Sequence, residues 1–277
     1  MIGKRAAKIL VFDSGFGGLS LLLALFRTMP AADYVYLADD ARFPYGDLEE
    51  EDLTDGLVAL LKDQCSLHQP DLVVVACNTA STIALTPLRA ALGLPVVGIV
   101  PGVKPAAAGS QSGKISVLAT PGTMKRSLTH ELIEDFAREC DVNLVPCPSL
   151  AEMAEQFVLE GVWDSQTLAN EIGAAFEAGD DGRKTDIVVL GCTHYPLMLA
   201  ALNKVAPWPV LWIDPAPAVA RRVMLLLGQE WQDSVANRQA AYGDLSARFG
   251  GSIQFHSTGD GVGRLKMAWA RLRPGLG

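Results

Sequence analysis

Two cysteines in this 277-residue chain stand where a thiol can be put to chemical use. Cys77 follows the apolar run 72–76 and opens the segment CNTAS; Cys192 follows the run 187–190 and opens CTHYP. Each is expected at the end of a strand, just before a helix. There, unpaired backbone N–H groups and the positive end of the macrodipole favour a thiolate. A free thiol has a pKa of about 8.5, so a modest downward shift makes it an acid or base near neutrality. The ordinary role of a buried cysteine is to pack as a small hydrophobe. Cys65, within an expected helix, fits that role; Cys140 sits at a helix end, and Cys147, before a proline, fits either.

Other polar residues flank these thiols. His194 lies two positions after Cys192. Such a C-x-H triplet is poor spacing for one metal ion, so no metal site is expected. The histidine either is held by backbone bonds or tunes the neighbouring thiol. Asp13 ends the first apolar run and begins DSGFGGLS, residues 13–20. Its glycines suit a tight turn and a close backbone approach to a ligand. The pattern is neither G-x-G-x-x-G nor a P-loop, so a nucleotide site is poorly supported. An aspartate at the mouth of a parallel sheet can meet an ammonium group. The loop ARFPYG, residues 41–46, reads as a turn, or as a presenter of backbone N–H groups and a phenol to a carboxylate.

The elements that must position these residues read as alternating strands and helices. Apolar runs at 9–12, 34–37, 72–76, 96–100, 115–119, 144–146, 187–190, 210–213 and 253–256 read as strands, mostly continuous, as strands covered on both faces should be. Helical patterns fall near 19–29, 50–68, 79–92, 123–139, 149–160, 165–177, 197–205 and 216–228. This alternation implies parallel sheets with right-handed crossovers. The segment 229–250 is the least regular. LVVVACNTAS and IVVLGCTHYP echo each other, with their cysteines 115 positions apart. A duplicated α/β unit explains the echo and brings both strand ends to one cleft, where open α/β sheets bind ligands. The expected fold is α/β, two pseudo-symmetric domains, each a mostly parallel sheet flanked by helices, with the active site between them. The first domain is expected over 1–98 plus 210–277, the second over 99–209.

Composition sets the outer bounds. Hydrophobic residues make up 49% and charged residues 19%, enough apolar material for a sizeable core. The formal net charge of −8 argues against nucleic acid as the primary partner. The longest apolar stretch, 19–26, is far short of the ~20 residues a membrane helix needs. The N-terminal apolar run stops at Asp13, too soon for a signal peptide. A cytoplasmic, non-membrane protein is expected, and a homodimer is the default assembly. Five cysteines with no C-x-x-C pair argue against a disulfide framework.

Taken in order, DSGFGGLS, PYG (44–46), ACNTAS (76–81) and GCTHYP (191–196) closely resemble the motifs of glutamate racemases in the cofactor-independent aspartate/glutamate racemase superfamily. The likeness runs from about residue 8 to about residue 261, where FHSTGD resembles a tail motif of that family. It implies exchange of the α-proton between two thiols on opposite faces of glutamate, with no cofactor, supplying D-glutamate for peptidoglycan. Cys77 and Cys192 would be the catalytic pair, Cys77 acting on D-glutamate and Cys192 on L-glutamate. Asn78, Thr79 and Thr193 would surround the α-carboxylate. Ser14, Tyr45 and Gly46 would hold the side-chain carboxylate. Asp13 and His194 would flank the thiols, assisting proton transfer or meeting the ammonium group. Thr120 and Thr123 are further contacts, and Glu155 falls where the family often has an acid orienting the histidine, outside direct contact with substrate. Val100 departs from the acidic residue many relatives carry there.

Rival functions are a racemase for aspartate or a hydantoin, a thiol hydrolase with His194 as base, and a non-catalytic amino-acid binding protein. Exchange of the α-hydrogen with solvent separates the racemases from the other two.

Overall fold

The computed structural model describes residues 6–43, 45, 49–228 and 251–272. The segment 229–250 and residues Pro44 and Gly46 therefore lie outside the described residues.

Among the described residues, nine strands form two sheets. The first contains β1 (Lys8–Asp13), β2 (Asp33–Ala38), β3 (Leu72–Val75), β4 (Val96–Gly98) and β9 (Ile253–Ser257), in the order β4-β3-β1-β2-β9. The second contains β5 (Lys114–Ala119), β6 (Asp141–Pro146), β7 (Ile187–Leu190) and β8 (Leu211–Ile213), in the order β6-β5-β7-β8. Every pairing is parallel. Advancing each of the first four strands by four converts one order into the other, so β3 and β7 hold equivalent places. The echo between the two cysteine segments is thus an echo of topology as well.

The helices are α1 (Leu19–Thr28), α2 (Glu50–His68), α3 (Asn78–Leu92), α4 (Val103–Gly109), α5 (Pro121–Met124), α6 (Ser127–Phe136), α7 (Leu150–Glu160), α8 (Ser165–Ile172), α9 (Leu199–Val205), α10 (Ala216–Leu227) and α11 (Val262–Leu272). They cover both faces of the first sheet. Ile9, Val11, Tyr34, Tyr36, Leu72 and Val74 pack with α1, α10 and α11. The alternate residues Leu10, Phe12, Val35, Leu37, Val73 and Val75 pack with α2 and α3. Strand side chains alternate between faces, and both faces here are apolar, which produces the continuous runs seen in the sequence. The second sheet is covered in the same way, Leu118, Val188 and Leu190 on one side and Ile115, Val117, Ile187 and Val189 on the other.

Three expectations change. The strand near 210–213 was expected in the first domain, but β8 pairs with β7 through Ile187↔Leu211, Val188↔Trp212 and Val189↔Ile213. The chain therefore re-enters the first half only after residue 213, with α10 packing on α1. The helix expected over 123–139 is two helices. Thr120 caps α5 by accepting from the Thr123 N–H at 3.3 Å, with Pro121 in the first turn, and a new helix starts at Ser127. Helices α4 and α11 are additional. Apolar Leu265, Ala268, Trp269 and Leu272 in α11 recur at helical spacing, a signal present in the sequence. Among the described residues, no helix is long and apolar enough to cross a membrane.

Candidate active site

The site lies where the C-terminal ends of the two sheets face each other. A cavity of about 590 Å³ opens there, and Cys77 and Cys192 both line it. Ser14, Tyr45, Asn78, Thr79, Thr120, Thr193 and His194 share the lining. Asp13 and Thr123 do not; each is fully buried behind it. Gly46 lies outside the described residues.

Cys77 is the N-cap of α3, and its sulfur accepts from the Ala80 N–H at 3.5 Å. The Ser14 hydroxyl donates to the same sulfur at 3.5 Å. The expected downward shift does not result. Burial, reinforced by the charge of Asp13, outweighs these two donors and pushes the Cys77 thiol up to about 12. Cys77 therefore rests as a thiol across the neutral range.

Cys192 has a different neighbourhood. The expected helix does not begin beside it; residues 195–198 form a single 3-10 turn with His194 as its N-cap. What stands next to the sulfur is the His194 ring, with Nδ1 at 3.6 Å. On the far side of that ring, Nε2 is 3.0 Å from Glu155 Oε1. Burial opposes a charge on His194, but hydrogen bonds to Cys192 and Glu155 and their negative charge prevail, raising its pKa well above 6.5. Glu155 lies below the usual carboxylate range: burial resists, but bonds and charge from His194 and the Phe16 N–H at 3.1 Å dominate. The Gly17 N–H also points at Nε2, at 3.1 Å. One nitrogen cannot accept from Gly17 and donate to Glu155 together. An ionised carboxylate at 3.0 Å requires the proton on Nε2, so Gly17 is a close neighbour rather than its donor. Glu155, placed by sequence outside direct contact with substrate, lines the cavity.

The glycines of DSGFGG allow a close approach within the protein itself. A Cβ on Gly17 would lie 2.4 Å from His194 Nδ1, and one on Gly15 would lie 2.6 Å from Glu155 Oε1. They let the loop after β1 press against the second half. Two further bonds fasten that seam: Ser20 Oγ donates to the Thr193 carbonyl at 2.8 Å, and Thr193 Oγ1 donates to Asp13 Oδ2 at 3.2 Å. Asp13 Oδ1 accepts from the Gly15 N–H at 2.8 Å. Burial raises the pKa of Asp13 against the pull of His194 and these donors. Asp13 is thus fully buried, one oxygen held by the Gly15 N–H and the other by Thr193.

On the other wall, hydroxyls run in a chain: Thr79 Oγ1 is 3.1 Å from Thr123 Oγ1, which is 3.1 Å from Thr120 Oγ1. Asn78 is 2% exposed, and its side-chain amide N and O have no hydrogen-bond partner among the described residues. A buried orphan amide in a cavity wall is a vacancy for a polar ligand. The Tyr45 hydroxyl, expected to face a carboxylate, is instead engaged by Asp39. Cys147 and Cys65 lie off the cavity, and burial raises both thiols. Among the described residues no cluster of three or more His, Cys, Asp or Glu could hold a metal ion.

Comparison with known proteins agrees with this fold. The Asp/Glu/hydantoin racemase family matches residues 19–223. A glutamate racemase of Brucella canis is 47% identical over 232 residues, 83% of each chain. A glutamate racemase of Sinorhizobium fredii is 49% identical over 220 residues, 79% of this chain and 82% of its own. Among solved structures, the Escherichia coli glutamate racemase in complex with L-glutamate and the activator UDP-MurNAc-Ala superposes with a TM-score of 0.77. It is 32% identical, covering 91% of this chain and 99% of its own. A Bacillus anthracis glutamate racemase isoform gives 0.78 at 26% identity, covering 97% and 94%. The family match over most of the chain and this level of sequence identity place the chain in the Asp/Glu/hydantoin racemase family.

Proposed function

We propose that the protein interconverts L- and D-glutamate by a two-thiol mechanism, supplying D-glutamate for peptidoglycan from a cytoplasmic site. The observation that carries this reading is that Cys77 and Cys192 line one cavity from equivalent strand ends of the two halves. In one direction a thiolate removes the α-proton: the Cα–H bond breaks, its electron pair stays on carbon, and a S–H bond forms. The opposite thiol then gives its proton to the other face of Cα and becomes the thiolate. The product leaves with inverted configuration and the two sulfurs have exchanged states.

The substrate is held by what surrounds those sulfurs. The orphan amide of Asn78, with Thr79 and Thr193, supplies donors for the α-carboxylate. Ser14 and the chain at Tyr45 and Gly46 serve the distal carboxylate. His194, held by Glu155, stands against the Cys192 sulfur, where it can assist proton transfer. Carbanionic charge is then met by preorganised donors rather than water.

The test uses Cys77→Ser and Cys192→Ser. Each should lose net racemisation by at least about a thousandfold, and wild type should place deuterium at Cα from either enantiomer in deuterated water. Near wild-type racemisation in both variants sinks the mechanism. The Cys192–His194 contact also suits a thiol hydrolase; that rival predicts a covalent acyl-enzyme and no exchange at Cα. Assay with aspartate in parallel separates the nearest racemase alternative.

A further inference from the structure

Asp39 follows β2 and takes no part in the chemistry above, yet four side-chain donor groups converge on it. It is 1% exposed. Its Oδ2 accepts from Arg42 Nε at 2.7 Å, pairs with Arg42 Nη2 at 2.5 Å, and accepts the Tyr45 hydroxyl in a short hydrogen bond. Its Oδ1 accepts from Thr258 Oγ1 at 2.6 Å. A buried carboxylate is tolerated only where such donors replace water, so this one specifies its neighbours closely.

The anchor extends to the tail motif FHSTGD. The Thr258 N–H donates to the Ala38 carbonyl at 3.0 Å, and Thr258 Oγ1 accepts from the Ala41 N–H at 3.3 Å. Asp40 accepts from Ser257 Oγ at 2.6 Å and from the Gly259 N–H at 2.9 Å. The turn after β9 thus grips residues 39–41 from the far end of the chain. On the other side of Asp39 stands Tyr45, buried and lining the cavity. Burial, with the Asp39 charge behind it, raises the phenol, which stays protonated and donates.

We propose that Asp39 is a positioning residue that fixes the Tyr45 ring as a distal wall of the substrate cavity, tied through Thr258 to the C-terminal strand. This rests on the reading that Tyr45 stands at the distal carboxylate. Because its hydroxyl is committed to Asp39, Tyr45 acts on substrate through ring shape and main chain rather than as a hydroxyl donor. The wall sets how long a side chain the cavity accepts, and it stands away from the reacting Cα. Loosening it should therefore weaken binding in ground and transition states alike.

The experiment measures kcat and KM for both glutamate enantiomers in wild type, Asp39→Asn, Tyr45→Phe and the double variant, with calorimetric titration of D-glutamate alongside. Asp39→Asn is expected to raise KM about tenfold and leave kcat within about threefold, with Tyr45→Phe changing in the same direction. The double variant should be no worse than the worse single, since the two residues act as one unit. An unmoved KM in Asp39→Asn, or losses that multiply in the double variant, overturns the proposal. Should Asp39→Asn fail to fold, Thr258→Val removes one leg alone; it must raise KM at least about twofold, and a wild-type KM there also overturns the clamp. A wild type inactive on glutamate would refute the functional reading instead, and the titration would still report whether the clamp shapes the cavity.

Discussion

His194 Nδ1 lies 3.6 Å from the Cys192 sulfur, whereas the Cys77 sulfur meets the Ser14 hydroxyl and the Ala80 N–H. One thiol is backed by an imidazolium, the other by neutral donors and a nearby buried carboxylate. The substrates are mirror images, but the walls that receive them are not.

That asymmetry has a kinetic signature. The equilibrium constant of a racemisation is one by symmetry, so His194→Asn must lower kcat/KM equally in both directions. We expect a loss of about a hundredfold, the scale of a removed proton-transfer partner. Primary deuterium isotope effects should nevertheless diverge, because the variant slows the step at Cys192 and leaves that at Cys77. Identical isotope effects from labelled D- and L-glutamate would show that His194 does not serve one wall.

The same imidazolium ties folding to pH. Its pKa in the fold lies well above the ordinary 6.5, so the folded protein keeps a proton that the unfolded chain releases. The stabilisation is complete below 6.5 and drains away as pH rises towards the folded value. Glu155 acts at the acid end: lowered below 4.5, it contributes above that value and fails as pH falls through its folded pKa. Urea unfolding of wild type and His194→Asn from about pH 6 to about pH 9 should show a stability gap that narrows as pH rises. A constant gap contradicts the raised histidine.

Gly17 tests the seam between the halves. A methyl group there would sit 2.4 Å from His194 Nδ1, inside any real contact distance. Gly17→Ala should cost about 1–3 kcal/mol through overpacking and lower kcat by about tenfold or more by displacing the ring. Gly263→Ala in α11, where a Cβ meets nothing within 4 Å, should be neutral or slightly stabilising. Thermal melts and steady-state rates on both variants decide it; equal behaviour of the two would refute the close approach.

Asn78 offers the opposite trade. Its buried amide has no hydrogen-bond partner among the described residues, so removing it breaks no bond within the fold. Asn78→Ala should leave the unliganded protein as stable as wild type or more so, while KM for glutamate rises about tenfold or more. A destabilised variant with normal KM would mean that the amide serves the fold instead.

Much of this was written locally in the chain. The nine strands show as apolar runs because helices cover both sheet faces, and Cys77 and Cys192 show as sites because like residues end like strands. The boundary near residue 210 was not legible, since three apolar residues can pair with either sheet, and hydrogen bonding to β7 chose the second.

The sequence by itself determined the alternation of strands and helices, the duplicated frame and the two thiols at its mouth, because each follows from hydrophobic period and residue order. Tertiary structure alone decided the protonation pattern and the supporting cast. Burial, which only the packed fold creates, raises Cys77 against its helix. Contacts spanning more than a hundred residues bring Glu155 to the loop after β1 and Thr258 to Asp39. Charge and solvent exclusion depend on distance in space, and no local pattern along a chain records that.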